Sequence, residues 1–179
     1  MTDAPSSPHA LRAAAIEDDG SCDVGALLAN VAGALRRAGR QVRGLLMTYP
    51  DGRDSCACAM VLVDLHTGRE YLVSQPLGSG SSACRADVQG FARASEVLRR
   101  ALDEAPDLVI SNRFGGLEAG GAGFRDELLA LLADDVPLLT AVASRYRGAW
   151  DAFTGGAAVL PARADAIDAW LAQTLHADA

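Results

Sequence analysis

The first candidate for chemistry is a pair of glycines, Gly20 and Gly25, that bracket four residues just before a predicted helix. This is the G-x-x-x-x-G frame of a phosphate-binding Walker A loop, which continues with Lys and then Ser or Thr. Here Ala26 and Leu27 follow, so both the lysine that neutralises the terminal phosphates and the hydroxyl that ligates magnesium are missing. The chain contains no lysine at all, and three aspartates surround the frame: Asp18, Asp19 and Asp23. The pattern predicts either an ordinary strand-to-helix turn or a degenerate phosphate loop.

A second candidate is a cluster of thiols. Cys56 and Cys58 stand two positions apart, which places both side chains on one face of a strand, and Cys84 follows in a later loop. Three thiolates would favour a soft metal. The C-x-C spacing differs from the C-x-x-C that commonly opens a zinc site, and no second pair exists, so ordinary buried cysteines are the alternative.

Alternating strands and helices predict the scaffold that must position these residues. Hydrophobic runs predict strands over 11–17, 42–47, 108–111 and 136–142, and helical periodicity predicts helices over 24–38, 87–102, 124–132, 145–153 and 165–175. Two strand-like runs, 58–64 and 70–74, predict an antiparallel hairpin. Long loops are predicted for the glycine-serine segment 75–84 and for 112–123, which holds five glycines.

These elements together predict an α/β fold of three layers, with a mostly parallel sheet and the hairpin as an antiparallel insertion. Residues 1–10 are expected to be a disordered lead-in, and 11–179 a single domain.

Composition limits the classes of partner. The 179 residues include 16 basic and 23 acidic side chains, a net charge of −7, which argues against a nucleic-acid binder. The longest apolar run, 56–63, is far short of the roughly 18 residues of a membrane span, so no membrane insertion is expected. With no secretory signal visible, we expect a cytoplasmic protein whose four cysteines are free thiols, and a homo-oligomer stays open.

Four segments, 58–68, 82–87, 107–118 and 124–125, occur in an order that resembles the small bacterial and archaeal P-loop nucleoside-triphosphatases. The chain is still more similar to a bacterial family encoded near molybdenum-transport genes. That second resemblance lies in Leu-Gly-Ser-Gly-Ser-Ser-Ala-Cys-Arg at 77–85 and in the stretch from Asn112 to Arg125. It covers about residues 12–160 and implies a P-loop-like fold.

The resemblance also implies that hydrolysis has been lost. Asn112 and Arg113 fall where the triphosphatases hold an acidic pair for magnesium and water, and Gly115 and Glu118 match the end of the same segment. An amide and a guanidinium can do neither task, because arginine has no acceptor and stays protonated. A lone carboxylate at Glu118 does not restore the chemistry.

Exchange of acids for arginine turns a metal-binding crevice into a predicted oxyanion site. The principal ligands are expected to be Arg85 and Arg113, whose guanidinium forks suit a tetrahedral anion, with the 77–84 loop as a cradle of N–H and hydroxyl donors. Further contributions are expected from Ser79, Ser81, Ser82, Asn112 and Arg125. The predicted ligand is molybdate or another tetrahedral oxyanion, and the expected partner is a transporter or a molybdenum-cofactor protein.

Three alternatives stay open. Glu118 and backbone donors could support nucleotide binding or slow nucleoside-triphosphate hydrolysis. The chain could instead be an interaction module that docks through its helical faces. Cys56, Cys58 and Cys84 could hold a thiol-ligated metal.

Overall fold

A mostly parallel sheet organises the protein, for which a computed structural model describes residues 11–50, 59–76 and 84–175. The strands in these ranges are β1 (Ala13–Asp18), β2 (Val42–Thr48), β3 (Val61–Asp64), β4 (Glu70–Leu72), β5 (Ser74–Pro76), β6 (Cys84–Ala86), β7 (Leu108–Ser111), β8 (Leu138–Ala143) and β9 (Ala158–Leu160). Seven of them form one sheet in the order β4-β3-β2-β7-β8-β1-β9, and the other two, β5 and β6, pair with each other.

Five neighbouring strands, from β2 through β7, β8 and β1 to β9, run parallel, and β3 and β4 are antiparallel to their neighbours. The predicted α/β class is therefore confirmed. The architecture is consistent with a P-loop nucleoside-triphosphatase-like fold.

Helices cover both faces of the sheet, as the three-layer prediction requires. They are α1 (Val24–Arg37), α2 (Val88–Glu104), α3 (Gly116–Ala119), α4 (Arg125–Ala133), α5 (Arg147–Thr154) and α6 (Ala164–Leu175). One hydrophobic core joins α1 and α6 to the sheet, and the other joins α2, α4 and α5 to the opposite face. None of the described helices is both long and apolar enough to cross a membrane.

The central strand β1 shows why the sequence folds this way. Ala13 and Ala15 belong to the core under α2 and α4, whereas Ala14 and Ile16 belong to the core under α1 and α6. Successive side chains of a strand point to opposite faces. A strand covered on both faces is therefore apolar throughout, which is the continuous run that the sequence shows.

Two expectations about the loops are wrong. The glycine-rich segment 112–123 is not all loop, because the single turn α3 forms inside it, stabilised by the Glu118 side chain accepting the Gly115 N–H. The segment 75–84 likewise begins and ends in the short strands β5 and β6. The edge strand β9 was not predicted, since three residues are too few to show a period.

Candidate functional site

The candidate site lies at the carboxyl edge, the edge of the sheet at which the parallel strands end. In open α/β sheets, ligands bind in the crevice outside this edge. Because β8 lies between β1 and β7, the residues that follow those two strands meet across its end. The crevice is therefore built mainly by the segments after β1 and β7.

Arg113 and Asp18 make the central contact of this crevice. The Arg113 Nη2 donates a hydrogen bond to the Asp18 Oδ2, although the two residues are 95 positions apart. The Arg113 side chain is 42% exposed and that of Asp18 is 17% exposed. A guanidinium thus stands at the open edge of the sheet with a carboxylate already bound to it.

Neighbours on both sides fix the position of Arg113. The Asn112 Oδ1 accepts the Met47 N–H at 3.0 Å, which prolongs the β2–β7 ladder beyond its last backbone pair. The Phe114 N–H donates to the Ala141 carbonyl at 2.8 Å, and the Phe114 ring packs against Trp150 with centroids 5.5 Å apart. Arg113 is therefore held between two anchored residues.

Glu118 organises the glycine-rich loop after β7. Its side chain is buried, its Oε2 accepts the Gly115 N–H at 2.9 Å, and its Oε1 accepts the Phe124 N–H at 3.2 Å. Gly123 has a φ of +63°, and a Cβ placed there would lie 2.2 Å from the Glu118 Oε1. The glycine is needed for both reasons, and the carboxylate holds the backbone of the loop.

The Gly20–Gly25 frame is lined by its own carboxylates. Asp18 accepts the Gly20 N–H at 3.2 Å, and Asp19 accepts the Ser21 N–H at 2.9 Å. The hydrogen bonds from Ser21 hold the pKa of Asp19 below its ordinary value. At the start of α1, the Asp23 Oδ1 accepts the Ala26 N–H at 3.0 Å.

In a working phosphate loop, backbone N–H groups face the phosphates. Here three of them are bonded to side-chain carboxylates of the same loop. Leu27, where the Walker A serine or threonine would follow the lysine, is partly buried and packs against the core under α1.

The remaining arginines of this edge have their own contacts. The Arg125 guanidinium lies 5.4 Å from the centre of the Phe153 ring. Arg147 pairs with Glu17 at 3.3 Å, a contact that the sequence analysis missed. The sequence feature that could have indicated this contact is the pair of consecutive acidic residues, Glu17 and Asp18, at the end of the first strand.

Several predicted site residues cannot be placed. Ser79, Ser81, Ser82, Cys56 and Cys58 lie outside the described residues, and only the backbones of Cys84 and Arg85 are described, in β6. Within the described ranges, no group of three or more His, Cys, Asp or Glu side chains is arranged to hold a metal ion. The thiol cluster and the cradle formed by the 77–84 loop stay predictions.

Cavities open at both edges of the described sheet. One of about 260 Å³ opens beside Asn112, Arg113 and Glu118 at the carboxyl edge. A larger one, about 520 Å³, lies where the parallel strands begin and is bordered by Arg40 and Asp107, which pair at 2.9 Å. The smaller cavity lies at the carboxyl edge, where the ligands of open α/β sheets bind.

Comparison with known proteins gives the chain its family. The family model described as "Protein of unknown function (DUF2478)" matches residues 13–170. The chain belongs to the DUF2478 family. This DUF2478 chain is also 40% identical over 153 residues to the molybdenum import ATP-binding protein ModC 2 of Bradyrhizobium diazoefficiens strain USDA 110.

The second match covers 85% of the DUF2478 chain but only 17% of the relative's length. The chain therefore matches only one segment of this much longer relative. No solved structure matches it significantly. The two sequence matches suggest a distant relationship to P-loop nucleoside-triphosphatases, in agreement with the strand order.

Proposed function

We propose that this DUF2478 protein binds a small tetrahedral oxyanion of the molybdate type at Arg113, without hydrolysing nucleotides, as an accessory component of molybdenum import. One observation carries the proposal: the half-exposed Arg113 guanidinium stands at the carboxyl edge with the Asp18 carboxylate bound to it.

The contacts at the carboxyl edge support the proposal that the protein does not hydrolyse nucleotides. The Gly20–Gly25 frame lacks lysine and surrounds itself with carboxylates, which repel the phosphates of a nucleotide. The resemblance places Arg113 where an acid would hold magnesium, and a guanidinium has no lone pair to offer a metal. Glu118 is engaged with two backbone N–H groups.

The bound carboxylate indicates which ligand Arg113 can take. A guanidinium fork binds carboxylates and tetrahedral oxyanions through the same pairs of N–H groups. Asp18 thus occupies the position that an incoming anion would take. When an oxyanion displaces it, the Asp18 Oδ1 still has the Gly20 N–H as a partner. Arg85, Asn112, Arg125 and the serines of the 77–84 loop remain the predicted additional donors.

Similarity to a part of a molybdenum import ATP-binding protein supports the choice of ligand and of partner. We accordingly propose a molybdenum import ATP-binding protein as the partner, and a purified pair tested by size-exclusion chromatography would reveal a stable complex.

Calorimetric titration with molybdate, tungstate, sulfate and phosphate tests the ligand. Arg113→Gln should weaken binding at least about tenfold, because charge-assisted hydrogen bonds are lost. Asp18→Asn should strengthen binding by roughly threefold to tenfold, because it removes a charge that competes for the guanidinium. Arg40→Gln is the matched control, since Arg40 is similarly exposed and similarly paired, but at the opposite edge.

Two results would defeat the proposal. One is an absence of heat with every anion at millimolar concentration, and the other is unchanged affinity in Arg113→Gln. Phosphate release from ATP or GTP above a blank, abolished by Glu118→Gln, would favour slow hydrolysis instead.

A further inference from the structure

The cavity of about 260 Å³ beside Glu118 has walls suited to a flat organic ring. It lies between the ends of β2 and β3, the first turn of α2 and the glycine-rich loop. Six of its lining residues are apolar: Met47, Met60, Leu62, Phe91, Leu117 and Phe124. The Phe91 and Phe124 rings lie with their centroids 5.2 Å apart. Aromatic and thioether side chains of this kind bind well to planar rings.

The volume limits the size of the occupant. Pockets for drug-sized ligands are roughly 300–1,000 Å³, and this cavity is slightly smaller. It therefore suits one planar ring system, with any substituent projecting outward.

The acidic residue in the lining of the cavity is Glu118. Glu118 is 5% exposed, and within the described chain no arginine lies at ion-pair distance from it. Arg113, which lines the same cavity, is paired with Asp18. Each Glu118 oxygen accepts one backbone N–H and retains a further lone pair, since a carboxylate has about four acceptor positions.

Each further donor that a buried carboxyl oxygen accepts adds to its stabilisation. An occupant that presents two adjacent N–H donors in one plane matches the two oxygens of the carboxylate in the bidentate manner. Asn112 adds a second polar feature. Its Oδ1 is bonded to Met47, so its amide nitrogen is left to donate to an acceptor of the occupant.

We propose that this cavity binds a guanine base. The ring N–H and exocyclic amino group of guanine are adjacent donors for Glu118, and the neighbouring keto oxygen is an acceptor for the Asn112 amide. The apolar walls pack against the faces of the ring. Adenine does not fit this pattern, because its ring nitrogen beside the amino group is an acceptor and would face the carboxylate lone pairs.

The proposed guanine site and the oxyanion site share Asn112 and Arg113 at their border, and the test is chosen to keep the two proposals apart. Guanosine, which carries no phosphate, is titrated into the whole protein by calorimetry, with and without saturating molybdate. Inosine lacks the amino group, and adenosine presents the wrong edge. We expect guanosine to bind, inosine to bind about tenfold more weakly for the loss of one bond to a charged group, and adenosine to give no heat.

Two variants locate the site. Glu118→Gln should abolish the preference for guanosine over inosine, because the amide offers a donor where the base needs an acceptor. Since that change also disturbs the loop, Leu117→Trp is made in parallel. Leu117 is 37% exposed on the cavity wall, so an indole there can fill the cavity without removing the carboxylate.

Absence of guanosine binding at millimolar concentration would overturn the proposal, as would equal binding of adenosine. Unchanged guanosine affinity in Leu117→Trp, with the fold intact by circular dichroism, would also overturn it. If guanosine binds and molybdate does not, only the proposed function fails; the reverse result removes the guanine site alone.

Discussion

Asp64 is 1% exposed, yet its carboxylate accepts a hydrogen bond of 3.0 Å from the Arg100 guanidinium on α2. The same carboxylate accepts the Thr67 hydroxyl at 2.7 Å and the backbone N–H groups of His66 and Thr67. Asp64 thus ties the β3–β4 turn to α2, which packs against one face of the sheet. This turn belongs to the 58–68 segment, one of the four on which the resemblance to P-loop proteins rests.

The first prediction concerns acid stability. Burial opposes ionisation of Asp64, but the hydrogen bonds from Thr67 and His66 and the charge of Arg100 outweigh it, so the pKa lies below its ordinary value of 3.8. A depressed folded-state pKa stabilises the protein above the unfolded pKa, and that stabilisation is lost as the pH falls through the folded value. We expect Asp64→Asn to cost about 2 kcal/mol at pH 7, since Arg100 is half exposed.

Urea unfolding at pH 7 and between pH 4 and pH 2 checks this prediction. The wild-type chain should lose stability over the acid range more steeply than Asp64→Asn does. Asp103→Asn, an exposed position on α2, is the control and should follow the wild type. Parallel acid curves for Asp64→Asn and the wild type would contradict the prediction.

The second prediction concerns the close approach of β2 and β7. Gly44 has a φ of +117°, and a Cβ at this position would lie 1.9 Å from the Ile110 carbonyl oxygen. The Ile110 backbone cannot move aside, because it is paired with β2 in the sheet. Gly44→Ala should therefore lower the free energy of unfolding by more than about 3 kcal/mol or prevent folding. Gly20→Ala is the control: its φ is +81°, but nothing lies within 4 Å of the added Cβ. It should cost about 1 kcal/mol, and equal melting temperatures for the two variants would disprove the clash.

A third prediction uses the end of α2. Ala105 follows the helix with a φ of +43°, the left-handed conformation that glycine adopts without a steric penalty. Ala105→Gly should therefore stabilise the protein by about 0.5–1 kcal/mol, despite the larger chain entropy of glycine. Ala92→Gly, within the exposed face of the same helix, should destabilise it by about 1 kcal/mol. Thermal unfolding of both variants checks the opposite signs, and a loss of stability in Ala105→Gly would refute the account.

How much of the structure the sequence predicts depends on how far apart along the chain the contacting residues lie. The strand at Leu108–Ser111 was predicted with its observed bounds, because a strand covered on both faces must be a continuous apolar run. The arginine at position 113 is also predicted from the sequence to bind an anion.

The partner of Arg113 could not be predicted in the same way. Its contact with Asp18 depends on β8 lying between β1 and β7, and strand order is a property of the whole sheet. The inward orientation of Glu118 depends similarly on the path of a loop whose glycines suggested no regular structure. Local pattern therefore gives the elements, whereas the pairings at the site come from the tertiary arrangement.

The fourth prediction tests whether Glu118 organises that loop. An added Cβ at Gly123 would meet the Glu118 Oε1 at 2.2 Å, whereas at Gly121, which also has a positive φ, it would meet nothing within 4 Å. Gly123→Ala must displace a carboxylate that accepts two backbone N–H groups. It should therefore lower the free energy of unfolding by about 2–4 kcal/mol, whereas Gly121→Ala should lower it by about 1 kcal/mol. In a Glu118→Ala background the carboxylate is absent, and Gly123→Ala should then cost no more than Gly121→Ala. Urea unfolding of this double-mutant cycle measures the difference as a coupling energy between Gly123 and Glu118, and a coupling near zero would mean that Glu118 does not hold the loop.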